Sequence, residues 1–272
     1  MTSFLFWNLN KKPLQDIVAS LAFRYEVDVL MLVECSIEPG VLLTTLNRDD
    51  GAAYYYAPSE KCEKVQVYAR FLSEFVRPVE DEDRLTIRHL SLPGLTDILL
   101  AVTHFPGKMY LRDASQASAC GKLLAEPIKT AESKIGHRRT LLVGDLNMNP
   151  FEDGVVSAFG LHGVMTRRIA RRRGRTVLGK ECPFFYNPMW GLFGDATPGP
   201  PGKYYNWRSE PVTLFWNMFD QVLIRPDLLP LFRNDDLKIV TSDGSTPLLT
   251  KGGLPNRRVA SDHLPVFFQL AL

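Results

Sequence analysis

The stretch LLVGDLNMNP, running from Leu141 to Pro150, decides the fold. Leu141 to Gly144 form an apolar run suited to a strand buried on both faces. An acid, Asp145, follows at once, and an amide, Asn147, stands two positions on. Residues i and i+2 of a strand share a face, so the spacing predicts that Asp145 and Asn147 point into one pocket at the strand end. Other apolar runs end the same way. SFLFWNLN (3–10) ends on Asn8 and Asn10, DVLMLVEC (28–35) on Glu34, and DILLAVTHF (97–105) on His104. TLFWNMFDQVLI (213–224) carries Asp220, and SDHLP (261–265) places Asp262 and His263 just before the last strand, LPVFFQLAL (264–272).

Between these strands, LQDIVASLAFRY (14–25) has apolar residues at Leu14, Ile17, Val18, Leu21 and Ala22, the period of an amphipathic helix. PGVLLTTLNRDD (39–50) reads as a short helix entered at Pro39. AAYYYAP (52–58), KVQVYARF (64–71) and RLTIRHLSL (84–92) read as strands, and RDASQASACGKLLAEPIKTAES (112–133) as a long helix that tolerates or kinks at Pro127. PFEDGVVSAF (150–159) is a short helix with acids in its first turn, and LKIV (237–240) a further strand. No repeat and no linker is evident. The order predicts one α/β domain over 1–272, built of two packed mixed sheets with helices outside, which buries each apolar face. From about 166 to 213 the pattern weakens into a loop-rich insertion, rich in proline, glycine and aromatics.

The chain has 272 residues, 45% hydrophobic and 23% charged, which excludes disorder, collagen and coiled coil. The net charge of +2 says less than its distribution. EFVRPVEDEDR (74–84) is acid-rich, whereas RRIARRRGR (167–175) holds six arginines in nine residues. Cys35, Cys62, Cys120 and Cys182 show no metal spacing and read as reduced thiols. The first residues do not read as a signal peptide, and no apolar run approaches the ~20 residues of a membrane span. The expectation is a soluble cytoplasmic protein with no obligate protein partner.

Carboxylates at the mouth of an apolar strand are costly unless paired, hydrogen-bonded or bound to metal. Oxygen donors without clustered cysteine or paired histidine favour Mg2+ or Mn2+ over zinc. A divalent cation, acids, a histidine and neutral amides together suit attack of water on a phosphodiester. With FWNLN (6–10), LMLVE (30–34), VTHFPG (102–107), VGDLNMNP (143–150), FDQVLI (219–224) and SDHLPV (261–266), the chain resembles the endonuclease/exonuclease/phosphatase superfamily, exonuclease III-like and deoxyribonuclease-like members among them. The motifs stand in the family's order and cover nearly the whole chain.

The resemblance implies a four-layer α/β/β/α sandwich and a Mg2+-dependent phosphodiester hydrolase. It implies Glu34 as principal metal ligand, Asp262 as a further ligand and Asn8 beside the metal or phosphate. Asp145 would activate water and Asn147 orient it. His263 would meet the scissile phosphate with Asp220 fixing its tautomer, and His104 would be a second phosphate-contacting histidine. Asn10 stands where repair nucleases often carry an aspartate, which leaves fewer anionic ligands. Arg171, Arg172 and Arg173 in the arginine run, and Arg257 and Arg258 before SDH, are candidates for phosphate contact. The first reading is a nuclease acting on nucleic acid, DNA above all. The second is a phosphatase or phosphodiesterase of a small phosphorylated molecule or lipid headgroup. The third is a catalytically silent binding module.

Overall fold

The fold was analysed in a computed structural model, which describes residues 1–48, 53–107, 114–208, 211 and 213–272. Parts of three expected elements lie outside the described residues: the end of the 39–50 helix, the start of the 52–58 strand and the start of the 112–133 helix.

The first sheet contains β1 (Thr2–Asn8), β2 (Val29–Val33), β3 (Tyr55–Tyr56), β4 (Val65–Ala69), β16 (Lys238–Ile239) and β17 (Val266–Leu270), in the order β16-β17-β1-β2-β4-β3. The second contains β5 (Val76–Glu82), β6 (Leu85–Leu90), β7 (Ile98–His104), β8 (Thr140–Asp145), β9 (Gly163–Val164), β12 (Phe185–Tyr186) and β15 (Asp220–Ile224), in the order β5-β6-β7-β8-β15-β12-β9. Both are mixed, since β1 runs parallel to β2 and β7 parallel to β8 while the flanking pairs are antiparallel.

The side-chain period of two sorts every central strand into two cores. Phe4 and Phe6 of β1 meet Leu100 and Val102 of β7 and Leu141 and Val143 of β8 between the sheets. The alternate residues Leu5 and Trp7 pack outward on α1 (Gln15–Arg24) and α2 (Pro39–Leu46). Leu99, Ala101 and Leu142 pack outward on α3 (Ala114–Ile135), which runs through Pro127 without interruption, and near α4 (Asp153–Val156). The layers are therefore α/β/β/α. Because both faces of these strands are buried, they read as unbroken apolar runs in the sequence.

The acid-rich 74–84 segment, to which sequence reading gave no element, contains an edge strand, β5, bulged between Pro78 and Glu80. Charge, proline and a bulge are what protect an edge from further pairing. The 166–213 region is more ordered than a loop. It contains α5 (Arg167–Ala170), the hairpin of β10 (Gly174–Val177) and β11 (Lys180–Pro183), and β12, which joins the second sheet. TLFWNMFDQVLI is two strands. Its β14 (Trp216–Asn217) pairs with β13 (Tyr204–Tyr205) in a separate ribbon, while β15 enters the sheet beside β8.

Gly144 of β8 lies opposite Thr103 of β7. A Cβ there would lie 2.2 Å from the carbonyl oxygen of its partner Thr103. Gly144→Ala should therefore lower unfolding free energy by about 1–3 kcal/mol, as overpacking does. Urea denaturation reads this, and an unchanged midpoint would mean that the two strands can part without loss.

Candidate active site

The inner-face positions at one end of the strands are polar. Phe4, Phe6 and then Asn8 continue one row on β1; Leu100, Val102 and His104 another on β7; Leu141, Val143 and Asp145 a third on β8. Across the second sheet His104 pairs with Asp145, and Asp145 with Asp220. The rim of the inter-sheet core is thus a line of ionisable groups, opening on a cleft of about 1020 Å³ that Asn10, Glu34, Asn147, Asp262 and His263 also line.

Asn147 reaches the cleft for a reason other than strand alternation. Strand β8 ends at Asp145, whose Oδ1 accepts from the Asn147 amide at 2.9 Å, and Asn147 has φ +50°. Asn10 repeats this on β1: its amide donates to Asn8 Oδ1 at 2.9 Å, and its φ is +49°. Each is a turn closed by an Asp or Asn side chain onto the backbone two residues on, followed by an asparagine, which tolerates the left-handed conformation. Asn147 Nδ2 then donates to the Phe105 carbonyl at 2.9 Å.

Asn8 Nδ2 donates to Asp145 Oδ2 at 2.9 Å and approaches Glu34 Oε1 at 3.3 Å. Its nitrogen faces the two carboxylates and its oxygen holds the turn, so Asn8 bridges acids rather than turning an oxygen toward them. His104 Nε2 lies 3.3 Å from the same Glu34 oxygen, and its Nδ1 is buried without a partner. The His104 hydrogen bond holds the Glu34 carboxyl below its ordinary range against its partial burial.

His263 Nδ1 lies 2.9 Å from Asp220 Oδ2. The main chain of His263 is fixed by Trp7 Nε1, which donates to its carbonyl at 2.8 Å, and by Ser261 Oγ, which accepts from its amide at 3.1 Å. Burial opposes the charged imidazole, yet the charge and hydrogen bond of Asp220, with Asp145 and Asp262 beyond, carry His263 up to about 9. Burial likewise opposes the Asp220 carboxylate, but His263 and the buried Lys203 hold it down at about 2. Asp145, the cross-strand neighbour, moves up instead, through burial and then the charge of Asp220. Two adjacent acids are thereby driven apart in proton affinity, the pattern of a proton acceptor beside a permanent anion.

The donor set fits a hard divalent cation. Glu34, Asp145 and Asp262 open carboxylate oxygens on one cleft with the asparagine amides, and no thiol lines it. Among the described residues, Asp145, Asp220 and His263 also bring potential ligand atoms within 4.8 Å of one another. Here His263 Nδ1 is already hydrogen-bonded to Asp220 Oδ2. A further cluster, His89, Asp97 and His137, lies at the other end of the sheet. There His137 Nδ1 accepts from the Arg139 amide at 3.1 Å, so its Nε2 carries the proton and donates to Asp97. That arrangement is a satisfied hydrogen-bond cluster.

The expected basic contacts are placed differently. Arg171, Arg172 and Arg173 lie at the opposite end of the second sheet, where Ile224 pairs with Leu141 and Arg173 pairs with Asp227. Four residues of β8 separate that end from Asp145, about 13 Å of strand. Strand β15 runs antiparallel to β8, so the chain leaving Ile224 emerges away from the cleft, and it is there that Arg173 meets Asp227. Arg257 donates to the Tyr205 carbonyl at 2.6 Å and lies 5.5 Å from the Tyr204 ring centre; neither it nor exposed Arg258 lines the cleft. Among the described residues, Arg84 and Arg208 do line it, with Tyr204 and Phe219, whose rings lie 5.5 Å apart. Sequence reading passed over Arg84, Arg208 and Lys203, and weighed Tyr204 only as one of several aromatics that could stack bases. Arg84, Arg208 and Lys203 stand in no motif, although the aromatic YYNWR stretch carried the signal that its ribbon is ordered.

No protein-family model matches the sequence, and neither does any curated protein. Solved structures do match over the full length. An AP endonuclease from Archaeoglobus fulgidus is 15% identical, with 100% of each chain covered and a TM-score of 0.58. Truncated Caenorhabditis elegans TDP2 is 16% identical over 99% of this chain and 97% of that one, with a TM-score of 0.55. An endonuclease/exonuclease/phosphatase family protein from Leptotrichia buccalis is 13% identical, with 100% of each chain covered and a TM-score of 0.56. The chain has the endonuclease/exonuclease/phosphatase fold.

Asp220→Asn tests the charge assignment. Without that anion, burial and Lys203 act on His263 with less opposition. Its NMR titration midpoint in metal-free protein should fall from about 9 to below the ordinary value of about 6.5. Charged His263 contributes stability in full below about pH 6.5 and loses it as pH rises through about 9. Asp220 contributes above about pH 3.9 and loses it as pH falls through about 2. Wild type and variant should therefore differ most in stability between about pH 4 and 6.5. An unmoved midpoint would assign the imidazole charge to another group.

Proposed function

We propose that the protein is a divalent-metal-dependent phosphodiesterase that acts on DNA by attack of water on phosphate. One observation carries the reading: Asn8, Glu34, His104, Asp145 and Asp220 close the core from both sheets at one rim, with Asp262 and His263 beside them. A binding module has no need of a buried acid raised beside a buried acid lowered.

Glu34 and Asp262 would hold Mg2+, or Mn2+ in its place, with Asn8 beside them. The cation would supply Lewis-acid polarisation of a phosphoryl oxygen. The protein's own groups supply the rest. Asp145, raised by burial and by Asp220, takes the proton of the attacking water. Asn147, held by the Asp145 turn and the Phe105 carbonyl, orients that water or a phosphoryl oxygen. His263, charged and turned by Asp220, donates from Nε2 to the phosphate, and His104 provides a second imidazole at the same rim.

DNA is favoured over a small phosphoester because the cleft is open and lined by arginine and aromatic side chains. The similar structures include a Danio rerio TDP2 complexed with a single-strand DNA product, 15% identical over 98% of this chain and 97% of that one, TM-score 0.56. Exposed Arg171, Arg172 and Arg173 lie too far from the scissile phosphate to serve it, and we assign them to the backbone of DNA extending beyond the cleft.

Chelation should abolish cleavage of DNA and Mg2+ restore it. Glu34→Ala, Asp145→Asn and His263→Ala should each cost about a hundred- to ten-thousand-fold in rate. Metal-dependent cleavage surviving all three changes would overturn the site. The substrate class is read separately, from salt dependence. Neutralising Arg171, Arg172 and Arg173 should flatten the plot of log affinity for long DNA against log salt by about 0.9 per arginine. An unaltered slope removes the run from the binding surface, and a wild-type slope near zero favours the small-substrate reading.

A further inference from the structure

Lys203 is buried beside the catalytic pair with a wholly enclosed side chain, 0% exposed. Its main chain is already secured: the amide donates to the Asn217 carbonyl at 2.9 Å, and the carbonyl accepts from the Leu264 amide at 2.9 Å. These bonds join the segment leading to Asp220 with the segment that carries His263, and they do not involve the ammonium. Burying that ammonium is costly, and burial pulls Lys203 below its ordinary range in spite of Asp220. An apolar side chain of similar length would fill the same volume without the desolvation cost. Packing therefore does not account for a lysine here.

The geometry around Asp220 does. Lys203 Nζ forms an ion pair with Asp220 Oδ2 at 3.1 Å, outside hydrogen-bond geometry, and the same oxygen faces His263 Nδ1 at 2.9 Å. The other oxygen, Oδ1, has no partner. The Asp220 carboxylate is thus oriented through a single oxygen. Its terminal torsion is intrinsically broad, and across the strand pair it faces the like charge of Asp145. One bond to His263 would leave it free to turn. A second cation on the same oxygen fixes it.

We propose that Lys203 is a positioning residue: its ammonium pins Asp220 Oδ2 against the His263 imidazole and so holds the ring's Nε2 edge toward the cleft. The inference rests on the reading of Asp220 and His263 as a working pair. It adds to the pair a third buried member contributed by the β13–β14 ribbon.

Lys203→Met removes the charge and keeps the bulk; Lys203→Gln keeps a neutral donor. In Lys203→Met we expect kcat to fall about 10- to 100-fold, as for other groups that act through a ligand's partner, with KM unchanged and the melting temperature equal to or above wild type. The hydrogen-bonded Nδ1 proton of His263, read as a downfield NMR resonance in metal-free protein, should shift or broaden. Lys203→Gln should restore part of both signals. Parent-like kcat and resonance in Lys203→Met overturn the proposal, as does a loss of rate that follows the loss of folded protein in both variants. The resonance needs no substrate, so it separates the two readings. If wild type cleaves no phosphodiester yet the resonance depends on Lys203, the activity falls and the pin stands. If wild type is active and the resonance is indifferent to Lys203, the pin falls and the activity stands.

Discussion

Asp220 lies at the upper end of the inter-sheet core, 0% exposed, with apolar side chains beneath it and another acid beside it. A bare carboxylate there would carry a desolvation cost that the packing below could not tolerate. It stays ionised because His263 and Lys203 converge on one of its oxygens. Much of the cleft takes its position from that contact. His263 is anchored through Trp7 to the first sheet, and Asp145 is left as the acid that gives way in proton affinity. Asn8 then connects Asp145 to Glu34 across the gap between the sheets. The charges at the rim are arranged around the requirement that one buried anion remain an anion.

The fold was legible where strands are buried on both faces. FLFW, VLMLV, ILLAV and LLV leave few alternatives at their length, and the helical period of 14–25 is unambiguous. Legibility failed where local composition and tertiary placement part company. An acid-rich strand at a sheet edge looks like solvated chain, because an edge strand is built to resist pairing. The β10–β11 hairpin turns at Leu178 and Gly179, both at positive φ, without the asparagine-glycine or aspartate-glycine pair that announces such turns. The break inside TLFWNMFDQVLI has no glycine or proline to mark it. Trp216 and Asn217 leave because Tyr204 and Tyr205 offer them a ribbon, which only the assembled structure provides.

Several of the expected residues line one cleft, but not all of them arrive there by strand alternation. Alternation correctly puts Asn8, His104, Asp145 and Asp220 on the inner face, since each lies within or at the end of a strand. It does not extend to Asn10, Glu34 and Asn147, which all have positive φ and reach the cleft by leaving the strand direction. The basic residues were least legible. The arginine run was a candidate for phosphate contact on its charge, but the chain carries it to the far end of the second sheet, where Arg173 meets Asp227. Arg84, Lys203 and Arg208 reach the site from segments whose only signal is position in three dimensions.

The two asparagine turns show how the cleft acquires its polarity. Strands of different sheets end in the same device: a short polar side chain caps the amide two residues on, and an asparagine follows at φ near +50°. The backbone conformation is shared, while the capping residue differs. On the second sheet it is Asp145, on the first Asn8. Had both been acids, two carboxylates in hydrogen-bond contact would repel, and one would take up a proton to relieve it. With an amide on one side, the contact becomes a donated hydrogen bond, and a nitrogen fixes the orientation of the acid without adding charge. The same substitution removes an anion from the side of the cleft that faces Glu34. In the proposed mechanism this leaves Glu34 and Asp262 to a cation and Asp145 to the proton.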